Sequence, residues 1–258
     1  MAEDSHKLQK GDVVQHTAKT HNLKGQLPEG SMESLATTIR FVTLNCRTLP
    51  RELQQAALSR LLRYLCVPLA VLQETRMKGR PVISIENYTI YCGDADENKV
   101  DGCTIAVRID YKNLAEQFGS TTSRCAFLGL RDRRGRKLWI VSANAPTEIA
   151  EDNSEDTFYD ELNALMSKIP SQQVVIVGID ANTKMGLEQQ SDARKMLDYV
   201  LARNILWSDI RKSKAVSDVA FDSDHRPVLL SFNIRFHKRN RGVPLQPKID
   251  MAGLKDDD

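Results

Sequence analysis

The chain has 258 residues, 41% hydrophobic and 27% charged, with 36 basic against 34 acidic side chains and a formal net charge of +2. That length can bury a sizeable core in one large or two small domains. The composition is that of an ordinary globular protein, and so balanced a charge leaves any attraction for nucleic acid to a local patch. No run approaches the roughly 18 apolar residues of a membrane span, and the start, Met1 to Lys7, lacks the apolar stretch of a secretory signal. The five cysteines, Cys46, Cys66, Cys92, Cys103 and Cys125, are scattered, odd in number and never spaced C-x-x-C. This points to reduced thiols in an intracellular protein, with the nucleus one compatible compartment, and away from a disulfide framework or a zinc cluster.

Residues 1–36 are polar and broken by Gly11, Gly25, Pro28 and Gly30, which predicts a disordered leader. Order is expected from the β-rich run Thr37 to Leu44, which ends at Asn45. After Pro50, Leu58, Leu61, Leu62 and Leu65 share one helical face, and Leu69 to Leu72 then reads as a buried strand entering Gln73-Glu74-Thr75. Strands are predicted at 88–92 and 103–109, followed by a hairpin with arms 125–131 and 137–143 and a basic tip at Asp132 to Arg136. Phe158, Leu162, Leu165, Met166 and Ile169 predict a second amphipathic helix. Val174 to Ile179 is the most apolar run and reads as a central strand. Leu197 to Leu201 and Val228 to Phe236 are the last strand candidates. Residues 237–258 form a basic, proline-punctuated and finally acidic tail, leaving 37–236 as the folded domain. Many strands and two helices in mixed order, without an internal repeat, predict a layered α/β domain.

Chemistry-bearing residues recur where these strands end. Phe41 to Leu44 ends at Asn45, Leu69 to Leu72 at Glu74, and Val174 to Ile179 at Asp180-Ala181-Asn182, while Ser223-Asp224-His225-Arg226-Pro227 precedes the last strand. Strand ends in α/β sheets are where ligand sites are built. Oxygen donors without cysteine favour a hard cation, Mg²⁺ or Mn²⁺. In such a site Asp180 would activate a water and His225 would neutralise charge developing on a phosphorane. Each element also has a plainer reading by itself: Asn45 as a helix cap, Glu74 as a solvated loop carboxylate, Asp180 to Asn182 as an Asx turn, Asp224-His225 as a structural pair. Joint occurrence in this order is what argues for a site. Lys212, Lys214 and the basic stretch Arg235 to Arg241 read either as phosphate contacts or as solvated surface, and Trp139 and Trp207 as packing residues.

The ordered set Thr43-Leu44-Asn45, Leu72-Gln73-Glu74-Thr75, Gly178-Ile179-Asp180-Ala181-Asn182, Leu197-Asp198-Tyr199 and Ser223-Asp224-His225 resembles the motifs of the endonuclease/exonuclease/phosphatase superfamily. With Tyr91-Cys92-Gly93, Ala145-Pro146-Thr147-Glu148 and Phe221 to Pro227, it is similar to the apurinic-type endonuclease domains of non-LTR retrotransposons. The narrower likeness is to RTE-type elements and the host proteins called craniofacial development protein 2-like. It spans roughly residues 37 to 250.

The resemblance implies a four-layer α-β-β-α sandwich and Mg²⁺-dependent hydrolysis of phosphodiesters, with DNA as the expected substrate; a monomer is expected, and no membrane or obligate protein partner is inferred. It implies Glu74 as principal metal ligand with Asn45 and Asp224 beside it. Asp180 and Asn182 would handle the attacking water and the phosphate, and His225 would meet the scissile phosphate, oriented by Asp198. Two departures stand out. Residues 183–197 run almost straight from one motif to the next, where relatives carry a further strand and helix; this predicts an internal deletion that shortens one layer. Asn144 stands where many relatives place an aromatic residue or His against the phosphate, and an amide is shorter though still able to donate. The expected activity is therefore a DNA endonuclease, nicking or apurinic-type. The alternatives are a catalytically dead remnant that at most binds, and a phosphatase of the same superfamily.

Overall fold

The computed structural model describes residues 37–79, 81–93, 101–131, 135–147, 154–182, 198–205, 209–217, 219 and 221–234. The leader, the basic tail, the hairpin tip at 132–134, Trp207 and the segment 183–197, where the sequence predicts a deletion, lie outside the described residues.

Among the described residues, twelve strands form two sheets. In chain order they are β1 (Thr37–Asn45), β2 (Leu69–Gln73), β3 (Val82–Ile85), β4 (Tyr88–Cys92), β5 (Thr104–Arg108), β6 (Ala115–Thr122), β7 (Cys125–Arg131), β8 (Lys137–Asn144), β9 (Val174–Asp180), β10 (Asp198–Arg203), β11 (Ile210–Ala215) and β12 (Val228–Ile234). Seven strands run in the order β11-β12-β1-β2-β5-β4-β3 and five in the order β10-β9-β8-β7-β6. Two pairs are parallel, β1 with β2 and β8 with β9. A parallel pair needs a long crossover, supplied by helix α1 (Glu52–Tyr64) in the first case and α2 (Ser154–Lys168) in the second.

Strand alternation sorts side chains into three cores. From β1, Ile39 and Phe41 point between the sheets with Leu69, Val71, Leu128, Leu138, Ile140 and Ile176. Their neighbours Val42 and Leu44 point outward onto Leu58, Leu61 and Leu62 of α1. In the second sheet Val141, Val175 and Val177 pack outward on Phe158, Leu162 and Leu165 of α2. Both sheets are thus covered on two faces, giving the layered α/β domain that the pattern predicts and the α-β-β-α sandwich that the resemblance implies. Helix α1 closes with Cys66 in the left-handed region (φ 53), its N–H on Arg63 O and that of Val67 on Leu62 O. This is a Schellman ending made without glycine. Helix α2 carries Glu155 and Asp156 in its first turn and Lys168 in its last, each favourable to the helix dipole.

The strands predicted at 37–44, 69–72, 88–92, 103–109, 125–131, 137–143, 174–179, 197–201 and 228–236 appear as β1, β2, β4, β5, β7, β8, β9, β10 and β12, with ends shifted by one or two residues, and both helices are present. The sequence gives no sign of β3, β6 or β11, and all three are sheet edges. An edge strand buries less apolar surface and tolerates charge. In β11, Arg211, Lys212 and Lys214 are exposed, so hydrophobic periodicity has little to report. No described helix is long and apolar enough to cross a membrane.

Candidate active site at one end of the two sheets

Two parallel crossovers bring the C-terminal ends of β1, β2, β8 and β9 to one end of the molecule: Asn45 stands beside Gln73 and Asn144 beside Asp180. Along each strand the row facing the opposite sheet turns polar there. Ile39 and Phe41 give way to Thr43 and Asn45, Val71 to Gln73, Ile140 to Ser142 and Asn144, and Ile176 to Gly178 and Asp180. These polar side chains are fully or almost fully buried and must satisfy one another. The Gln73 amide donates to Thr43 Oγ1 (3.1 Å), Gly178 O (3.2 Å) and Ser142 Oγ (3.4 Å), and Ser142 donates to Leu72 O (3.1 Å). Gly178 lets the sheets approach: a Cβ there would meet Val71 Cγ2 at 2.2 Å and Thr43 Cβ at 2.7 Å.

Above this polar floor the Asn45 amide bridges two carboxylates, donating to Glu74 Oε1 and Asp180 Oδ2, each at 2.7 Å. Its oxygen accepts from Arg47 N (2.9 Å). Asn45 is not a helix cap, since α1 begins at Glu52 after Arg51. The Asx turn is real, with Asn182 N donating to Asp180 Oδ1 (3.1 Å), yet it uses one oxygen and leaves the other to Asn45. Glu74 (φ 50) and Asn182 (φ 48) both hold left-handed backbone. That conformation suits Asn but costs a residue such as Glu roughly 1–2 kcal/mol, and it re-aims the Glu74 carboxylate into the site instead of onward along the strand.

Asp198 faces Asp180 across the β9–β10 pair. His225 Nδ1 donates to Asp198 Oδ2 (2.9 Å) and lies 3.7 Å from Asp180 Oδ2. The loop carrying His225 is tied to β1 by Ser223, whose hydroxyl donates to Asn45 O (2.7 Å) and accepts from His225 N (3.1 Å). Asp224 is at the rim, half exposed or more, opposite Arg47 at 3.5 Å. On the other flank, the Asn182 amide donates to Ala145 O (2.6 Å) and to Asn144 Oδ1 (3.4 Å). Asn144 in turn donates to Asp101 Oδ1 (3.3 Å), whose other oxygen pairs with Arg124 (3.0 Å). All eight residues expected at the site therefore occupy this end, with Asp224 outermost. Asp101 and Arg124 carry no motif in the sequence and are found only through their contacts.

Burial raises the Asp180 carboxyl above the usual range, against the pull of the Asn45 amide and the His225 charge. Burial likewise raises Asp198, to about 6, opposed by its hydrogen bond to His225. For His225 burial acts downward, but the hydrogen bond and charge of Asp198, with Asp180 and Asp224, outweigh it and lift the imidazole to about 9. The raised His225 pKa favours an imidazolium near neutral pH, hydrogen-bonded to Asp198 and 3.7 Å from Asp180. Ligand atoms of Asp180, Asp198 and His225 lie within 4.8 Å of one another, but that trio already contains its own cation. On the Glu74 side, Glu74 accepts from the Asn45 amide and pairs with Arg76 at 3.5 Å.

Lys212 and Lys214 lie exposed on the edge strand β11. Trp139 is buried, packed on Phe127 with its indole N–H on Gln173 Oε1, which makes it a packing residue.

Among solved structures, the chain is similar to the endonuclease domain of TRAS1, a telomere-specific non-LTR retrotransposon (17% identity, 76% of this chain and 99% of that one covered, TM-score 0.54). It is also similar to an AP endonuclease from Archaeoglobus fulgidus (13%, 76% and 100%, 0.60). A third neighbour is an endonuclease/exonuclease/phosphatase family protein from Leptotrichia buccalis (12%, 76% and 100%, 0.55). No protein-family model and no curated protein matches the sequence.

Proposed function

From a chain with the endonuclease/exonuclease/phosphatase fold, we propose a divalent-metal-dependent phosphodiesterase that cuts DNA, an endonuclease. The observation that carries this reading is the single linked cluster in which Asn45 joins Glu74 to Asp180, and His225 joins Asp180 to Asp198. Neighbours named as endonucleases support DNA as the substrate.

The donor set fits a hard cation. Glu74 and Asp224 are carboxylates that would hold the ion, while Asn45, which turns its NH2 group to Glu74 and its oxygen to Arg47 N, would have to reorient its amide to add a third oxygen. Such an ion, Mg²⁺ or Mn²⁺, supplies Lewis acidity at a phosphoryl oxygen. The chain's own groups do the rest. Asp180, whose burial makes it a better proton acceptor than an exposed carboxylate, takes the proton of the attacking water. Asn144, with one amide hydrogen on Asp101, has a second to offer a phosphate oxygen, and Asn182 would offer one by giving up its long 3.4 Å contact to Asn144. His225, held protonated by Asp198, stabilises the charge that grows on the pentacovalent phosphorus. Asp198 fixes the ring so that its other nitrogen faces the substrate.

The test is nicking of supercoiled plasmid by purified protein in Mg²⁺. Relaxation is expected in Mg²⁺, none in EDTA, and none from Glu74→Gln or His225→Ala, with both variants still melting cooperatively. Nicking that survives both substitutions rejects the site. A folded wild-type protein that leaves plasmid intact rejects the endonuclease, and preference for a small phosphate ester over DNA would make it a phosphatase.

A further inference from the structure

The active-site end contains an ion pair, buried on its acidic side only, that the proposed chemistry leaves without a task. Asp101 is 5% exposed and pairs with Arg124 at 3.0 Å. The buried Asp101 carboxylate carries a desolvation cost, and a pair whose Arg124 side chain is 31% exposed returns little net stability, so fold stability is a poor reason for its being there.

Residues 101 and 102 cross from one sheet to the other. Toward the seven-stranded sheet they hold the turn after Glu74: Asp101 O accepts from Arg76 N and Gly102 O from Thr75 N, both at 3.0 Å, with Thr75 Oγ1 on Gly102 O as well (3.0 Å). Toward the five-stranded sheet Gly102 N donates to Ser123 O (3.2 Å). The Asp101 carboxylate receives Arg124 on one oxygen and the Asn144 amide on the other. Arg124 O accepts from Asn144 N (2.9 Å), and Asn144 Oδ1 accepts from Asn182. The cross-tie thus ends on Glu74's turn at one side and on Asn182's side chain at the other. Glu74, Arg76 and Asn182 are also the left-handed residues of these turns (φ 50, 54 and 48). Such conformations persist only where the surroundings over-determine them.

We infer that Asp101, charged and oriented by Arg124, is a positioning residue that sets the spacing between Glu74 on one sheet and the Asn144–Asn182 pair on the other. It touches neither substrate nor metal and acts through Asn144 and the Arg76 amide. The inference rests on the endonuclease reading for its kinetic consequence but not for its structural one. With Asp101→Asn, one hydrogen bond to Asn144 can persist while the ionic anchor is lost, so Asn182 shifts. Misplacement by about 1 Å is enough to slow a reaction about a hundredfold.

The test is a double-mutant cycle of Asp101→Asn with Asn182→Ala, read by steady-state nicking, beside hydrogen exchange of the metal-free proteins. Asp101→Asn is expected to melt cooperatively, to lower kcat roughly 10- to 100-fold and to leave KM within about threefold. The double variant should be no slower than Asn182→Ala alone within about twofold, because coupled sites do not add. A merely structural role would lower Tm instead, or multiply with Asn182→Ala, and either result overturns the inference, as does an unchanged kcat. Should Asp101→Asn fail to fold, Arg124→Lys carries the same cycle with the charge retained. Should the wild-type protein not nick DNA, the endonuclease reading falls by itself and exchange decides. Amides at 75–76, 144 and 182 exchanging several-fold faster in the variant support the cross-tie, and unchanged exchange at all of them rejects it.

Discussion

The space between the two sheets has two ends built by the same strands, and they differ in almost everything else. At one end Ile39, Phe41, Leu69, Leu138, Ile140, Leu230 and Phe232 fill the slab with hydrocarbon. A few residues further on, Thr43, Asn45, Gln73, Ser142, Asn144 and Asp180 occupy the continuing inward positions, equally buried. The apolar end is held by area removed from water and does not depend on orientation. The polar end is held by directional bonds, each needing its partner. A rigid strand carried from one environment into the other places the proposed catalytic groups on the same frame that stabilises the fold, and the difference predicts opposite responses to substitution.

The largest effect falls on rate at the polar end. His225→Ala should slow nicking by about 10²–10⁴-fold, roughly 3–5 kcal/mol of barrier, while thermal melting moves little. A variant that unfolded instead would make His225 a structural group. At the apolar end Phe41→Ala should cost about 3–5 kcal/mol of stability in denaturant titration, with the folded fraction keeping its turnover; a loss below about 1 kcal/mol would mean the slab collapses around the gap. Between the ends, Gly178→Ala puts a methyl group against Val71 and Thr43. We expect about 1–3 kcal/mol of destabilisation together with reduced nicking, since separating the sheets moves both halves of the site. Gln73→Leu keeps the volume but strands Thr43, Ser142 and Gly178 O without their common partner, at about 1–3 kcal/mol; an unchanged midpoint would show that the floor is replaceable by packing. The smallest effect concerns thiols. Cys66 is exposed, whereas burial pushes Cys46 and Cys125 up to about 12 and Cys103 well above its ordinary value. Native protein titrated with a thiol reagent should therefore label one cysteine quickly and the rest only after unfolding.

Strongly periodic segments were legible. Leu58, Leu61 and Leu62 marked α1, and the run Val174 to Ile179 marked β9, because each buries a whole face. The edges were not legible. The edge strand β6, Ala115 to Thr122, alternates poorly, and β11 carries three cations; both rest on backbone pairing with a neighbour that only the fold supplies.

The site divides in the same way. Strand ends and their order in the chain determined that Asn45, Glu74, Asp180, Asn182 and His225 belong to one end, because a strand's direction fixes where its last residue goes. Tertiary structure alone decided that the Asn45 amide bridges two carboxylates, that Asp198 stands opposite Asp180, and that Asp101 reaches from one sheet to the other. The physical reason is range. Periodicity and strand direction are local properties of the backbone, whereas a hydrogen bond between residues 135 positions apart, as from Asn45 to Asp180, exists only once two sheets have packed face to face.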